Sequence, residues 1–361
     1  MRDGVSASRV AVHPGPWVTV AQFLQARMPT VADWHQRLLR GEVLDATGRA
    51  VHERAPAEAG AVLWYWRQPP PEPRLPFEVE VLFQDEHLVI VDKPHFMSVT
   101  PGGQHLHETV LVRLKKQLQI GTLVPMHRLD RETAGVMAFI VRPDDRNAYQ
   151  GLPREQRVHK VYEAVAPWRA DLLLPQVYSS RLASQDGDGF MQMLTLPGEP
   201  NAHTRIELIQ RWDAPAGADP DASASASASA GAVADADADA DAGDDAAQPR
   251  APLATPTAAT PSTTLAHYRL TPLTGRKHQL RVQLCALGLP IVGDRIYPRL
   301  WPQPAPGTTP DYSQPLQLLA RELTFTDPCN GQPRHFVSRR RLLCVPQMSE
   351  ANAQASRATR G

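Results

Sequence analysis

Cysteine is scarce: Cys285, Cys329 and Cys344 are the only three in 361 residues, far apart and without C-x-x-C spacing. An odd count so spaced argues against both a disulfide framework and a zinc site. Long apolar runs are also missing. No stretch approaches the roughly 20 apolar residues that span a bilayer, and the opening MRDGVSASRVAVHPG lacks the apolar segment of a secretory leader. A reducing cytoplasm is the compartment these absences point to. Net charge is absent as well, but the zero hides an asymmetry. Residues 214–262 hold eight aspartates, one arginine and no lysine or glutamate, so this segment carries −7 and the remainder +7. A basic excess favours a polyanionic partner, although many proteins of other kinds share it.

What is present is enough for a core: 42% of the residues are apolar. Residues 1–67 form a first module. VTVAQFLQARM has the apolar spacing of a helix, with Val20, Phe23, Leu24 and Met28 on one side. ADWHQRLLRGEV predicts a second helix stopping at Gly41. EVLDATGRAV reads as strand, turn at Thr47-Gly48 and strand, and GAVLWYWR as a further strand. Helix, helix, then short strands resembles the S4 RNA-binding fold, and a generic small α+β module fits nearly as well.

The proline-rich QPPPEPRLPF, residues 68–77, predicts an extended linker. A larger domain begins at about 78. VEVLFQDEHLVIVDKP reads as two strands around Gln84-Asp85-Glu86, LHETVLVRLKKQL as a helix, and HKVYEAVA and HTRIELIQRW as strands. The domain is expected in two parts, 78–213 and 263–346. Between them, 214–262 alternates Asp, Ala and Ser and has too few large apolar side chains to offset the entropy of ordering. A disordered insertion is expected there, and a disordered tail over 347–361.

Two stretches concentrate reactive side chains. MHRLDRETAGVMAFI, residues 126–140, sets His127, Arg128, Asp130 and Arg131 at the mouth of an apolar strand. TGRKHQLRVQL, residues 274–284, gathers Arg276, Lys277, His278 and Arg281 after a turn. Alone, the second reads equally as a solvated helix face or a phosphate-binding patch. The first has a superficial rival in the kinase catalytic loop, but Leu129 interrupts H-R-D, position 135 is glycine, and no G-x-G-x-x-G or D-F-G accompanies it. His105 and His107 lack partners at ligand spacing and read as a surface loop rather than a metal site.

Together the stretches are specific. VDKP (91–94), MHRLDRETAGVMAF (126–139), HKVYEA (159–164), TGRKHQLRVQLCALGLPIVGD (274–294) and PLQLLARELTF (315–325) stand in one order. They resemble the RluA-type pseudouridine synthase family over residues 78–345, apart from the insertion. The resemblance implies an α+β fold with a largely antiparallel central sheet and an isomerase acting on RNA uridines. Ribosomal RNA of the large subunit is the expected target, with transfer RNA as the alternative. No cofactor, metal, membrane or obligatory protein partner is implied, because the reaction adds no atoms overall.

The resemblance also implies roles. Asp130 falls at the family's essential aspartate, Tyr162 at the tyrosine that stacks on the target base, and Arg281 at the basic residue paired with the aspartate. Arg128 falls at the residue that fills the space of the flipped nucleotide, and Leu280 continues the pocket wall. His127, Arg131, Lys160, Arg276, Lys277 and His278 are the expected RNA contacts. Lys277, Gln283 and Leu319 depart from the family pattern and bear on the choice of RNA. A non-catalytic RNA-binding protein that kept the fold is the rival reading, and the intact Asp130, Tyr162 and Arg281 argue against it.

Overall fold

The computed structural model describes residues 4–29, 31, 33–67, 72–103, 105–184, 192–213, 264–302 and 308–346. The expectations for 214–262 and 347–361 lie outside the described residues. The chain divides into two compact units, Met1–Leu75 with Thr100–Gly121, and Pro76–Val99 with Thr122–Gly361.

In the first unit, helices α1 (Val20–Arg27) and α2 (Trp34–Leu39) accompany a sheet of order β1 (Ser8–Ala11), β3 (Val62–Tyr65), β2 (Val43–Leu44). Both strand pairings are antiparallel. Phe23, Leu24, Trp34, Leu38, Val43 and Leu63 close one core. A capping box starts α1: Thr19 Oγ1 accepts from the Gln22 amide and Gln22 Oε1 accepts from the Thr19 amide, both at 3.3 Å. Gly41 ends the second helix at φ +67°, where a β-carbon is disfavoured. The helices and the strands β2 and β3 stand where the apolar spacing places them. Strand β1 was not expected, since four residues carry little alternation.

The first unit also holds α3 (Val110–Leu118). A boundary at 67–78 leaves that helix in the larger domain, and the contacts correct it. The Glu72 carboxylate accepts the amides of Leu106, His107 and Glu108, and Arg113 reaches the Leu75 carbonyl at 2.8 Å. Val5, Leu106 and Val112 form a small core of their own. These contacts join positions more than 30 residues apart, which a linear reading of composition does not reveal.

The second unit is built on an eleven-stranded sheet. Its path runs β10 (Met193–Leu196), β9 (Gln176–Ser184), β11 (Ala202–Asp213), β12 (Thr264–Pro272), β8 (Val158–Pro167), β13 (Leu318–Thr326), β7 (Ala134–Ile140), β5 (Leu88–Lys93), β4 (Glu80–Gln84). β14 (Pro333–Val337) pairs with β13, and β6 (Val124–Pro125) with β7. Every pairing is antiparallel except β13 with β7. The expected α+β class with a mostly antiparallel central sheet is therefore the observed one. The short helices α4 (Arg146–Arg154) and α5 (Gln279–Ala286) accompany it.

Strands β5 and β7 are buried along their whole length, which explains the apolar runs 88–91 and 134–140. The parallel neighbour of β7, β13, needs Gly135. At φ +119° it lets β13 approach so closely that an added β-carbon would lie 2.2 Å from the Ala320 carbonyl oxygen. On the other side of β13, Ala164, Tyr268, Leu270, Leu280 and Leu284 form a core against which Tyr162 packs.

Candidate active site

Asp130 lies just before β7, in a turn closed by the Thr133 amide donating to its carbonyl at 3.1 Å. Two side chains from the end of β5 and beyond, Lys93 buried and His95 half-buried, hold that turn. Lys93 Nζ donates to the carbonyls of Arg131 (2.9 Å), Met97 (2.7 Å) and Pro94 (2.9 Å). A ring nitrogen of His95 lies 2.7 Å from the Glu132 carbonyl. The carbonyls of Arg131 and Glu132, just after Asp130, are thus held, and the Asp130 side chain itself is 29% exposed.

Helix α5 supplies the facing charge. Its entry is sharp: His278 takes φ +52°, and Gln279 Oε1 accepts the Arg276 amide (3.0 Å) and the Thr274 hydroxyl (2.8 Å). Arg281 is 1% exposed, so nearly all its polar atoms need protein partners. It donates from Nη1 to Asp130 Oδ2 at 3.3 Å. From Nε and Nη2 it grips Asp294 at 2.8 and 2.6 Å, a bidentate pair. Asp294 is itself locked, its Oδ1 accepting the amides of Ile296 (2.8 Å) and Tyr297 (3.1 Å). His278 Nε2 stands 3.8 Å from Asp130 Oδ1, and its Nδ1 lies 3.0 Å from the Tyr297 hydroxyl.

The balance of fields keeps Asp130 ionised. Burial pushes its pKa up, but His278, Arg281 and Lys93 outweigh that and hold it below the ordinary value. Tyr162, on β8, is pushed up first by burial and then by the Asp130 charge, so its hydroxyl stays protonated at neutral pH. Burial takes Lys93 down to about 7, against the opposing pull of Glu132 and Asp130.

The geometry brings Asp130, Tyr162, Arg281, His278 and Leu280 together and removes one of the two readings of the second stretch. The stretch 274–284 is not a solvated face: Gln279, Arg281 and Gln283 are all buried. Only Gly275, Arg276 and Lys277, at its start, are exposed. Gln283, a departure from the family pattern, accepts the Thr204 hydroxyl at 2.6 Å and donates to the Ser180 hydroxyl and Ala202 carbonyl at 3.0 Å. It braces the helix on β9 and β11. Leu319, another departure, is fully buried in the sheet.

The other expected residues surround this group. Arg128 and Arg131 are exposed beside Asp130. Lys160 projects from the same side of β8 as Tyr162, two residues away, and burial takes it down to about 8. His127 is held well below its ordinary value, first by burial and then by Lys160, so it is neutral.

Three contributors were not singled out from the sequence: Asp294, Tyr297 and Lys93. Asp294 closes the motif ending VGD, and the need of a buried arginine for a full counter-charge is the signal that would have found it.

Residues 87–286 match the family model described as RNA pseudouridylate synthase. An uncharacterized RNA pseudouridine synthase from Synechocystis is 28% identical over 264 residues, 73% of each chain. The dual-specificity RNA pseudouridine synthase RluA of Haemophilus influenzae is 26% identical over 269 residues, 74% of this chain and 94% of that one. The tRNA pseudouridine synthase C of Vibrio parahaemolyticus is 28% identical over 222 residues, 61% of this chain and 73% of that one. Among solved structures, human RNA pseudouridylate synthase domain containing 1 shares the fold, with a TM-score of 0.50 at 17% identity, over 80% of this chain and 98% of that one. Among the described residues, no helix is long and apolar enough to cross a membrane.

Proposed function

This chain belongs to the RluA-type RNA pseudouridine synthase family and is a pseudouridine synthase, an isomerase, and on that premise we propose that it modifies specific uridines of large-subunit ribosomal RNA in the cytoplasm. Transfer RNA is the second substrate class, favoured by the name of the Vibrio relative. The observation that carries the reading is the ionised Asp130 facing Arg281, with Tyr162 alongside.

In this reading the target uridine leaves its stack, at a cost of a few kcal/mol that is least in loops and bulges. Tyr162 offers its ring to the base, a contact contributing about 1–3 kcal/mol. The Asp130 carboxylate then acts at the ribose, as nucleophile at C1′ or as base at C2′; both fit a carboxylate held charged. The C1′–N1 bond breaks, uracil turns and a C1′–C5 bond forms; C5 then loses its proton and N1 takes one up, so the composition is unchanged. Arg281 keeps Asp130 ionised and oriented. Arg128 occupies the space of the extruded nucleotide. His127, Arg131, Lys160, Arg276, Lys277 and His278 set register on the RNA backbone and the base, and Leu280 walls the pocket. The N-terminal helices and three-stranded sheet act as an S4-like RNA-binding module. No cofactor, metal or obligatory protein partner enters the isomerisation.

The test is to incubate the purified protein with bulk RNA from a strain lacking it and to map pseudouridine by position. A new site in ribosomal RNA is expected, absent with Asp130→Asn, which binds RNA nearly as well as wild type. A site confined to transfer RNA would replace the ribosomal assignment. Turnover by Asp130→Asn within tenfold of wild type would remove Asp130 from the chemistry.

A further inference from the structure

The end of the sheet opposite Asp130 carries a second group of reactive side chains. Strands β5 and β7 pair with Lys93 against Gly135 at one end and Leu88 against Ile140 at the other. Asp130 precedes the Gly135 end, and five residue steps of about 3.3 Å put the other end about 17 Å away. There, His87 enters β5, Asp145 lies in a 3-10 turn after β7, and Cys329 lies in the turn between β13 and β14. A ring nitrogen of His87, a carboxylate oxygen of Asp145 and the Cys329 sulfur all lie within 4.8 Å of one another.

The three side chains sit on turns that are tied together. Arg334 donates to Asp85 and to Asp327, both at 2.9 Å, joining the turn before His87 to the turn bearing Cys329. Asp85 Oδ1 accepts the His87 amide at 2.9 Å. Asp327 Oδ1 accepts the Cys329 amide at 3.0 Å and the Tyr149 hydroxyl at 2.7 Å. The His87 carbonyl accepts the Val141 amide at 2.8 Å, fixing the chain that leads to Asp145. The second ring nitrogen of His87 stands 3.7 Å from a Glu86 oxygen, a nearby negative charge but not a hydrogen bond.

We propose that His87, Asp145 and Cys329 form a zinc-binding site, with water as the fourth ligand. One nitrogen, one oxygen and one sulfur donor suit zinc, whereas magnesium and calcium take oxygen sets. Zinc bonds of about 2.0–2.3 Å set tetrahedral donors roughly 3.3–3.8 Å apart. His87 Nδ1 and Asp145 Oδ2 now stand at 2.8 Å. Small side-chain rotations that part this pair and draw in the sulfur satisfy the geometry. Binding exchanges the Cys329 thiol proton, and any proton shared by His87 and Asp145, for the ion. The surrounding charge accommodates it: Asp85, Glu86, Asp145 and Asp327 face Arg142 and Arg334. The ion clasps three segments distant in sequence and lies apart from the uridine site.

The experiment uses the full chain, without an affinity tag, dialysed against chelator and then titrated with zinc chloride by calorimetry and with cobalt chloride by absorbance. One equivalent of zinc, a melting temperature that rises with zinc concentration, and a cobalt–thiolate charge-transfer band are expected. Cys329→Ser and His87→Gln should lose the band or weaken binding at least tenfold. Cys329 is exposed, so its variant is expected to fold, which circular dichroism checks. Cys285→Ser is the control that keeps the band. Absence of saturable one-to-one binding by wild type, or binding undiminished in Cys329→Ser, would overturn the proposal.

Discussion

Arg281 grips Asp294 with two nitrogens, at 2.8 and 2.6 Å, and reaches Asp130 with a third at 3.3 Å. The tight pair is thus the one away from the chemistry. Asp294 holds the guanidinium still, and Asp130 receives a field from a charge already anchored. Asp294→Asn should therefore act at a distance. Breaking one side of a buried pair costs about 3–5 kcal/mol, and the retained amide oxygen should soften this. Urea unfolding should show a marked loss of stability. In the folded fraction kcat should fall at least tenfold, while KM for RNA changes little. A stability loss with unchanged kcat would make Asp294 a structural counter-ion alone.

Tyr162 packs its ring against the core that includes Leu280, beside the Asp130 charge. Phenylalanine at 162 keeps the ring and loses the hydroxyl, and leucine loses both. Tyr162→Phe should bind RNA as wild type does, whereas Tyr162→Leu should bind worse, by the about 1–3 kcal/mol of a lost stacking contact. Full turnover by Tyr162→Phe would exclude the hydroxyl from proton transfer. Filter binding and single-turnover isomerisation separate the two roles.

Lys93 gives an opposed pair of pH responses. Its three carbonyl partners use all three ammonium protons, and its pKa is lowered to about 7. As pH rises through 7 the amine has only two donors left, so the turn after Asp130 loosens and activity should decline. Stability should move the other way. Between about 7 and the ordinary value of 10.5 the unfolded chain binds the proton and the fold does not. Unfolding free energy then rises with pH, by up to about 1.4 kcal/mol per unit. Lys93→Met should remove both trends. Activity and stability rising together above pH 7 would contradict the assignment.

How far the sequence reached can be judged from particular residues. Alternation in HKVYEAVA and the apolar runs of β5 and β7 placed those strands, because their burial is written in adjacent positions. Several motifs in one order single out Asp130, Tyr162 and Arg281, and the fold sets these three near one another. What escaped depends on through-space partners. Asp294 matters because Arg281 is buried, and the polar pattern of 274–284 suggests solvent instead. Gln279 and Gln283 are buried polar groups satisfied by His203, Thr204 and Ser180, residues some 75–103 positions away. The attachment of α3 to the N-terminal unit rests on Glu72 in the same way. Counting cysteines and their spacing likewise misses His87, Asp145 and Cys329, which the sheet alone brings together.

The final expectation concerns residues 214–263. Strands β11 and β12 pair antiparallel up to Asp213 against Thr264, and the Thr264 hydroxyl donates to the Asp213 carboxylate at 2.9 Å. The two ends that bracket the segment are therefore direct cross-strand neighbours, the spacing that a two-residue hairpin turn such as Asn-Gly joins. The loop entropy of a closed chain changes slowly, by about 0.6 kcal/mol per doubling of length, so shortening the connection should shift stability little and upward. The segment 214–262 also carries −7, a charge that opposes an RNA approaching the protein. Screening over a Debye length of about 8 Å at physiological ionic strength should weaken that repulsion. A chain joining Asp213 to Thr264 through Asn-Gly should thus fold, melt at or slightly above the wild-type temperature and isomerise uridine at the wild-type rate. It should bind RNA equally or more tightly at low salt, with the difference vanishing as salt rises. Weaker RNA binding on deletion, at any salt concentration, would assign the segment a binding role that its composition does not indicate.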